Sequence, residues 1–503
     1  MVRSAALLVA VCAGLAGSGC ASTRLALCPA KGGPEWRELV TDHFVLRTNL
    51  PSRRAAKLVG RLERMRTAVA VSLGVDPVQH GRVEVIAFRT TPEFKNFAPA
   101  HSSGYYLRYA GGPPRIVLTA RVRVQQRALL AHELTHHFLS AVFWRQPRWL
   151  AEGLAVYLES LGEDEGADDH VVLGTVPSAR FRRALQGLVP VRELLAWEGG
   201  DTNRWQALDY YASSWLLVHW LVNRRPQALA DLQRRLAAGE DPLEAWRAAL
   251  PDYAPDRSTA LEGLDLVLVE YLLSSVVRLN TEIPVPSAVG YFERPIPTAE
   301  VHAIRLTLWA QGPERGRAAL AAEVEEALAE APDHPIPLLV KAQVLHEGDA
   351  LEMARRSVEA YPGDPRAWIF LGQSLPSGDE RTRALQKAVE YAPENPAALH
   401  MLAADLLERG RPGEALPWAR KAAGMAPWSP PLLSTYAQVL SEVGWCAQAV
   451  PHQRRALESL PENTPAVERT TYRTRLAGYL EQCRLSSPES AAAAARPAPA
   501  PAP

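Results

Sequence analysis

The chain has 503 residues, 47% of them hydrophobic and 22% charged, which is enough apolar material for more than one core. Lysine plus arginine equals aspartate plus glutamate at 55 each, so no net field draws a polyanion, and the composition speaks against nucleic acid as a partner. Five cysteines, widely scattered, exclude a cysteine-built metal site.

The N-terminus carries a basic Met1-Val2-Arg3 and an apolar run from Ala5 to Ala16, followed by Gly17-Ser18-Gly19-Cys20. The run is shorter than the roughly 20 apolar residues that span a bilayer, so residues 1–19 are expected to be a targeting signal. Small residues directly before Cys20 resemble the lipobox of bacterial lipoproteins. That resemblance implies cleavage before Cys20, acylation of Cys20 and attachment to a membrane through the N-terminal lipid. Ala21 in the next position resembles the outer-membrane sorting pattern, which implies a lipoprotein of the cell envelope facing the periplasm. An ordinary secretory signal cut nearby is the other reading, and it implies a secreted protein. Residues 20–35, small, polar and containing Pro and Gly, are expected to be a tether, and the role of Cys28 stays open.

From 36 to 125 short strands alternate with one helix. His43–Thr48, Val83–Phe88 and Arg115–Thr119 read as strands and Arg53–Leu73 as a helix, giving a small α+β layer. From 126 to 295 the pattern turns helical, with helices expected over 126–143, 148–160, 179–186, 207–223, 226–237 and 262–278 and a break at Pro147.

Beyond 296 similar helix ends recur at Glu330-Ala331-Pro332, Ala360-Tyr361-Pro362, Tyr391-Ala392-Pro393, Met425-Ala426-Pro427 and Ser459-Leu460-Pro461. The intervals are 30, 31, 34 and 34 residues, and each unit holds two amphipathic helices. Ala403, Gly410 and Ala415 are small where paired helices approach closely. Residues 296–485 therefore resemble a tetratricopeptide array of about five units with a capping helix, the first units having a shortened turn. In such an array Cys446 and Cys483 would begin one unit's second helix and end the next helix, so a disulfide and two free buried thiols are both reasonable. The Ala/Pro-rich tail 486–503 is expected to be disordered.

The chemistry-bearing string is His132-Glu133-Leu134-Thr135-His136. On a helix, residues four apart share a face, so His132 and His136 can reach one ion while Glu133 projects beside it. A second segment, Ala151-Glu152-Gly153, opens a helix after Pro147 and can bring Glu152 back as a third ligand. Together these resemble the gluzincin class of zinc metallopeptidases, within the broad MA-like group. The resemblance covers roughly residues 40–280 and implies a zincin-like α+β domain followed by an all-α tetratricopeptide solenoid. It also implies a Zn²⁺ cofactor held by His132, His136 and Glu152, Glu133 as the base that activates water, and a protein or peptide substrate. Tyr211, in Tyr210-Tyr211-Ala212, sits where the aminopeptidase branch places an oxyanion donor, and packing at a helix start is its alternative role. His137 is expected behind the ligands, His219 as a core histidine, and Thr135 as exposed or back-bonded within its helix. Arg115–Thr119 reads either as the edge strand that holds an extended peptide or as a plain structural strand. A rival function is a lipid-anchored tetratricopeptide scaffold whose zinc domain is inactive or structural, with protein partners bound through the repeats.

Overall fold

The computed structural model describes residues 27–74, 82–98, 104–107, 114–119, 124–163, 169–174, 176–197, 204–274, 281–311, 317–460 and 464–485. The signal segment, Cys20 and the tail 486–503 lie outside the described residues.

The chain opens with strands β1 (Trp36–Val40) and β2 (Phe44–Thr48), helix α1 (Ser52–Leu73), β3 (Val83–Phe88), the short helix α2 (Thr91–Lys95), and strands β4 (Gly104–Leu107) and β5 (Arg115–Thr119). Helices α3 (Val124–Val142) and α4 (Arg148–Leu158) follow, then strands β6 (Gly162–Glu163) and β7 (His170–Leu173). A helical stretch comprises α5 (Ser178–Ala184), α6 (Val191–Leu195), α7 (Arg204–Arg224), α8 (Pro226–Ala237), α9 (Pro242–Ala249) and α10 (Ser258–Ser274). Strands β8 (Thr281–Pro284) and β9 (Phe292–Ile296) close this part of the chain.

The main sheet has the order β4-β5-β3-β2-β1-β9. β2, β3 and β5 run parallel, while β4, β1 and β9 pair antiparallel to their neighbours. Parallel strands covered on both faces read as continuous apolar runs, and every residue of β3 is buried. One face, with Leu39, Leu46, Val83, Val85 and Leu118, packs on α1 and α3. The other carries an ion-pair lattice in which buried Glu84 accepts from Arg115 at 2.5 Å and from Arg47. Two-sided burial makes a lone charge there expensive, and the cross-strand pairing meets that need. Arg115–Thr119 is thus an interior strand, a correction to its reading as the substrate-holding edge. The edges among the described residues are β4 and β9, and Gly104 lets β4 press on α3: a Cβ there would stand 2.8 Å from the Leu129 side chain.

From Thr298 the chain is a run of antiparallel helix pairs: α11 (Thr298–Gln311) with α12 (Arg317–Glu330), α13 (Pro335–Gln343) with α14 (Ala350–Ala360), and α15 (Pro365–Ser374) with α16 (Asp379–Tyr391). α17 (Pro396–Glu408) with α18 (Pro412–Met425) and α19 (Pro430–Glu442) with α20 (Cys446–Glu458) complete it, before a last helix, α21 (Ala466–Leu485). The architecture is a mixed N-terminal sheet followed by an all-helical repeat region that resembles a tetratricopeptide solenoid. Four first helices open on a proline at the first helical position, where a missing N–H leaves no bond unmade. His334, Asp364 and Asn395 cap three of them from the preceding residue. The short early periods come from short helices, not short turns: α13 has 9 residues and α15 has 10, against 13 in α17 and α19.

Two expected boundaries shift. Cys28 is 1% exposed and packs with Trp36, Phe88 and Phe94, so it belongs to the folded core and not to a tether. α11 covers the charged face of the sheet through Val301, Ile304 and Leu308, so the first repeat helix belongs to the core of the preceding domain. Cys446 and Cys483 are paired, with Cα atoms 5.5 Å apart, joining the start of α20 to the end of α21.

Candidate metal centre

α3 is held against the sheet and α1 by Leu130, Ala131, Leu134 and Phe138, and its next turn enters the helical core through Leu139 and Phe143. That leaves His132, Glu133 and His136 half-buried on the remaining side. One turn apart on that side, the Nε2 atoms of His132 and His136 lie 3.1 Å from each other. α4 begins after Pro147 and buries Trp149, Leu150, Leu154 and Val156, so its opposite edge turns Glu152 back toward α3. Glu152 Oε2 stands 3.6 Å from His132 Nε2 and 3.4 Å from His136 Nε2. Around a tetrahedral zinc with ligand bonds of about 2.0–2.2 Å, neighbouring donor atoms are about 3.3–3.6 Å apart. Two imidazole nitrogens and one carboxylate oxygen at these separations are a donor set that could hold one such ion.

The approach of α4 to α7 is what allows this convergence. Gly153, directly after Glu152, faces the α7 backbone, and a Cβ there would lie 2.6 Å from the Ser214 carbonyl oxygen and 2.6 Å from a Val218 methyl. No side chain larger than hydrogen fits without displacing a helix.

The electrostatics favour a cation at the same point. Burial works against a charged His132, but hydrogen bonds to Glu152 and Glu159 and the Glu133 charge outweigh it and push its pKa up to about 10. Burial also penalises the Glu152 carboxylate, yet His136 and His132 hold it well below the usual carboxylate range. Glu133 is half-buried beside His132 and acts on it through its charge.

Tyr211 lies on α7, its ring 5.8 Å from that of Trp197 and under the Arg180 guanidinium. Burial raises its phenol pKa, and the Glu152 charge raises it further against the pull of Arg148 and Arg180. The phenol therefore sits in the field of a candidate ligand. His137, 2% exposed, packs against Trp428 of the repeat region. His219 is a buried histidine whose Nδ1 accepts from the Tyr271 hydroxyl at 2.7 Å. Thr135 is fully buried and donates back to the Ala131 carbonyl, the second of its two expected placements.

Three neighbours of the centre escape a sequence reading. His132 Nδ1 donates to Glu159 Oε1 at 3.0 Å, Arg180 Nη2 donates to the same oxygen at 3.4 Å, and Arg148 reaches Glu152 at 3.8 Å. A carboxylate holding the far nitrogen of a metal-ligand histidine is a general expectation. Glu159, seven residues after Glu152 and so on the same helix face, is where that expectation could have been sought.

A second group of ligand-type side chains, Cys28, His302 of α11 and Glu323 of α12, is fully buried. Arg305 donates to Cys28 Sγ at 2.7 Å and to Glu323 at 3.0 Å. The guanidinium already supplies the cation there, so the cluster reads as a buried ion-pair knot rather than a metal site.

Residues 127–244 match a family model described as a protein of unknown function, DUF1570. That stretch includes both histidines, both glutamates of the centre and Tyr211. No curated protein matches the chain. Among solved structures, a thermophilic TPR protein of Thermus thermophilus is 19% identical, covering 36% of this chain and 99% of its own at a TM-score of 0.28. YrrB, titled a TPR protein with an unusual peptide-binding site, is 19% identical over 32% of this chain and 89% of its own, at 0.25. MamA is 20% identical over 28% of this chain and 86% of its own, at 0.24. The repeat architecture rests on the helix pairs themselves.

Proposed function

We propose that this chain is a zinc-dependent metallopeptidase with a zincin-like catalytic domain, anchored in the cell envelope through a lipid on Cys20 and facing the periplasm. His132, His136 and Glu152 hold the metal, and the repeats bind protein substrates or partners. The observation that carries the reading is the convergence of three donor atoms from α3 and α4 at separations of 3.1, 3.4 and 3.6 Å, with half-buried Glu133 next to His132 and acting on it through its charge. A structural zinc centre is usually closed by four protein ligands, whereas three ligands leave a coordination position for substrate or water.

Bound zinc supplies Lewis acidity toward water and toward the scissile carbonyl. Glu133 takes the proton from the attacking water and delivers it to the leaving amine. Tyr211 donates a hydrogen bond to the carbonyl oxygen as charge gathers there, and its half-buried phenol, with its pKa raised, suits a donor. Glu159 fixes the ring of His132 from behind. The edge strand β4, packed on α3, presents main-chain groups along which an extended peptide can lie.

The test uses the zinc-loaded full chain and an unfolded casein-like substrate. Glu133→Gln should keep stoichiometric zinc and lose turnover by at least about a hundredfold. His132→Ala should lose the metal. Turnover surviving in Glu133→Gln removes Glu133 as the base. A wild-type chain that takes up no zinc removes the enzyme reading altogether.

A further inference from the structure

We infer that Arg180 is a positioning residue that ties the metal ligand His132 to Tyr211, through Glu159 on one side and the tyrosine ring on the other. The inference rests on the metallopeptidase reading of the centre. Its basis is a chain of contacts that leaves the ligand set. His132 Nδ1 donates to Glu159 at 3.0 Å, Arg180 donates to the same carboxylate oxygen at 3.4 Å, and the Arg180 guanidinium lies over the Tyr211 ring, 5.6 Å from its centroid.

The elements explain why this geometry holds. Glu159 caps the C-terminal end of α4, seven residues beyond Glu152, so one helix supplies both the ligand carboxylate and the one that orients His132. Arg180 is on α5, and one turn later Arg183 grips Asp209 of α7 with two nitrogens, the second at 2.9 Å. Asp209 stands two residues before Tyr211. The Arg183–Asp209 clamp therefore fixes α5 on the part of α7 that carries Tyr211, and Arg180 is held between that tyrosine and the α4 carboxylate. Arg180 and Glu159 are mostly sheltered, their side chains 23% and 17% exposed, so the contact is weakly screened compared with a surface pair.

Such an arrangement has two consequences. A carboxylate shared by a ligand histidine and an arginine is held in place, so the His132 ring presents Nε2 to the metal in one orientation. The guanidinium also braces the tyrosine ring, which the Trp197 indole meets edge-on. One side chain then sets the spacing between the metal and the oxyanion donor.

The experiment measures zinc affinity by chelator competition, with cobalt substitution as a spectroscopic check of ligand geometry, and kcat and KM at saturating zinc. Wild type, Arg180→Ala, Arg180→Lys and Glu159→Ala full chains are compared, each first matched by circular dichroism. Glu159→Ala should weaken zinc binding about ten- to hundredfold. Arg180→Ala should weaken it about three- to tenfold and lower kcat at saturating zinc with KM nearly unchanged, an effect of positioning rather than of substrate binding. Arg180→Lys, which keeps a cation beside Glu159 but has no flat face for the ring, should restore zinc affinity and leave kcat low. Zinc affinity and kcat both unchanged in Arg180→Ala overturn the inference while the metal reading stands. A wild-type chain that binds no zinc overturns the metal reading and this inference with it.

Discussion

A buried histidine that accepts a hydrogen bond resists protonation, and His219 shows what that does to stability. It is 4% exposed between Trp215, Tyr157 and Tyr271, with the Tyr271 hydroxyl donating to Nδ1 and the Asn223 amide close by. Burial pulls its pKa down to about 4. The unfolded chain, with an ordinary histidine pKa near about 6.5, takes up a proton that the folded chain refuses. Stability from this residue is therefore fully present above about pH 6.5 and is lost as pH falls toward 4, at up to about 1.4 kcal/mol per pH unit. Urea midpoints measured from pH 7 to pH 4 should fall steadily in the wild type. In His219→Gln, whose amide oxygen can still accept from Tyr271, the fall should be shallower by that one group. Equal slopes would mean that His219 takes up its proton as readily in the folded chain as in the unfolded one.

At the level of elements, the crossing of α4 on α7 places Glu152, and Gly153 sets how close the two helices come. With the Ser214 carbonyl oxygen only 2.6 Å from where a Cβ would lie, Gly153→Ala must push α4 away from α7. Overpacking of this kind costs about 1–3 kcal/mol, and the shift carries Glu152 away from the histidines. Thermal melts of the metal-free chain and zinc titration should both register the substitution. A variant as stable as the wild type with unchanged zinc affinity would show that α4 does not need the close approach. Helix existence and the facing histidine pair were legible because local signals carry them: Pro147 as a break, a four-residue histidine spacing and recurring helix ends. The role of Gly153 was not legible, because a glycine needed for interhelical contact looks in sequence like a helix-weakening residue. Strand β4 escaped because it has only four residues, and β8 and β9 because their pairing partners also lie far along the chain, β9 joining β1 across more than two hundred residues. Arg115–Thr119 shows the same limit, since its composition gives a strand while only its pairing on both sides, with β3 and β4, decides that it is interior.

Over the whole molecule, the repeat region is fastened to the N-terminal domain at both of its ends. At its start, α11 is built into the core beneath the sheet, where Trp309 donates to the Asn96 carbonyl at 3.0 Å and the Cys28–Arg305–Glu323 knot pins the incoming chain. Near its finish, the fourth and fifth helix pairs return to the C-terminal turns of α3. Trp428 packs on His137, the neighbour of the candidate ligand His136, at 5.5 Å between rings. Glu458 pairs with Arg145 at 2.9 Å, and Arg455 donates to the Ser140 carbonyl while lying 4.8 Å from the Trp144 ring. Burial pulls the Arg455 pKa down to about 10 against the opposing pull of the Glu458 charge, and the carbonyl and the indole face receive the guanidinium. Removing it in Arg455→Ala leaves the Ser140 carbonyl without that donor, and a buried charge-assisted bond of this kind contributes about 1.5–3 kcal/mol. The loss should appear where the contact is: amides in the last turns of α3, residues 137–142, should exchange with solvent about ten- to hundredfold faster, while those of α13 to α16 keep their rates. Zinc affinity should weaken in the same variant, because the turn carrying His136 is continuous with the turn that Arg455 holds. Faster exchange confined to the repeats, with α3 unaffected, would show that the returning helices lean on the candidate metal helix without supporting it.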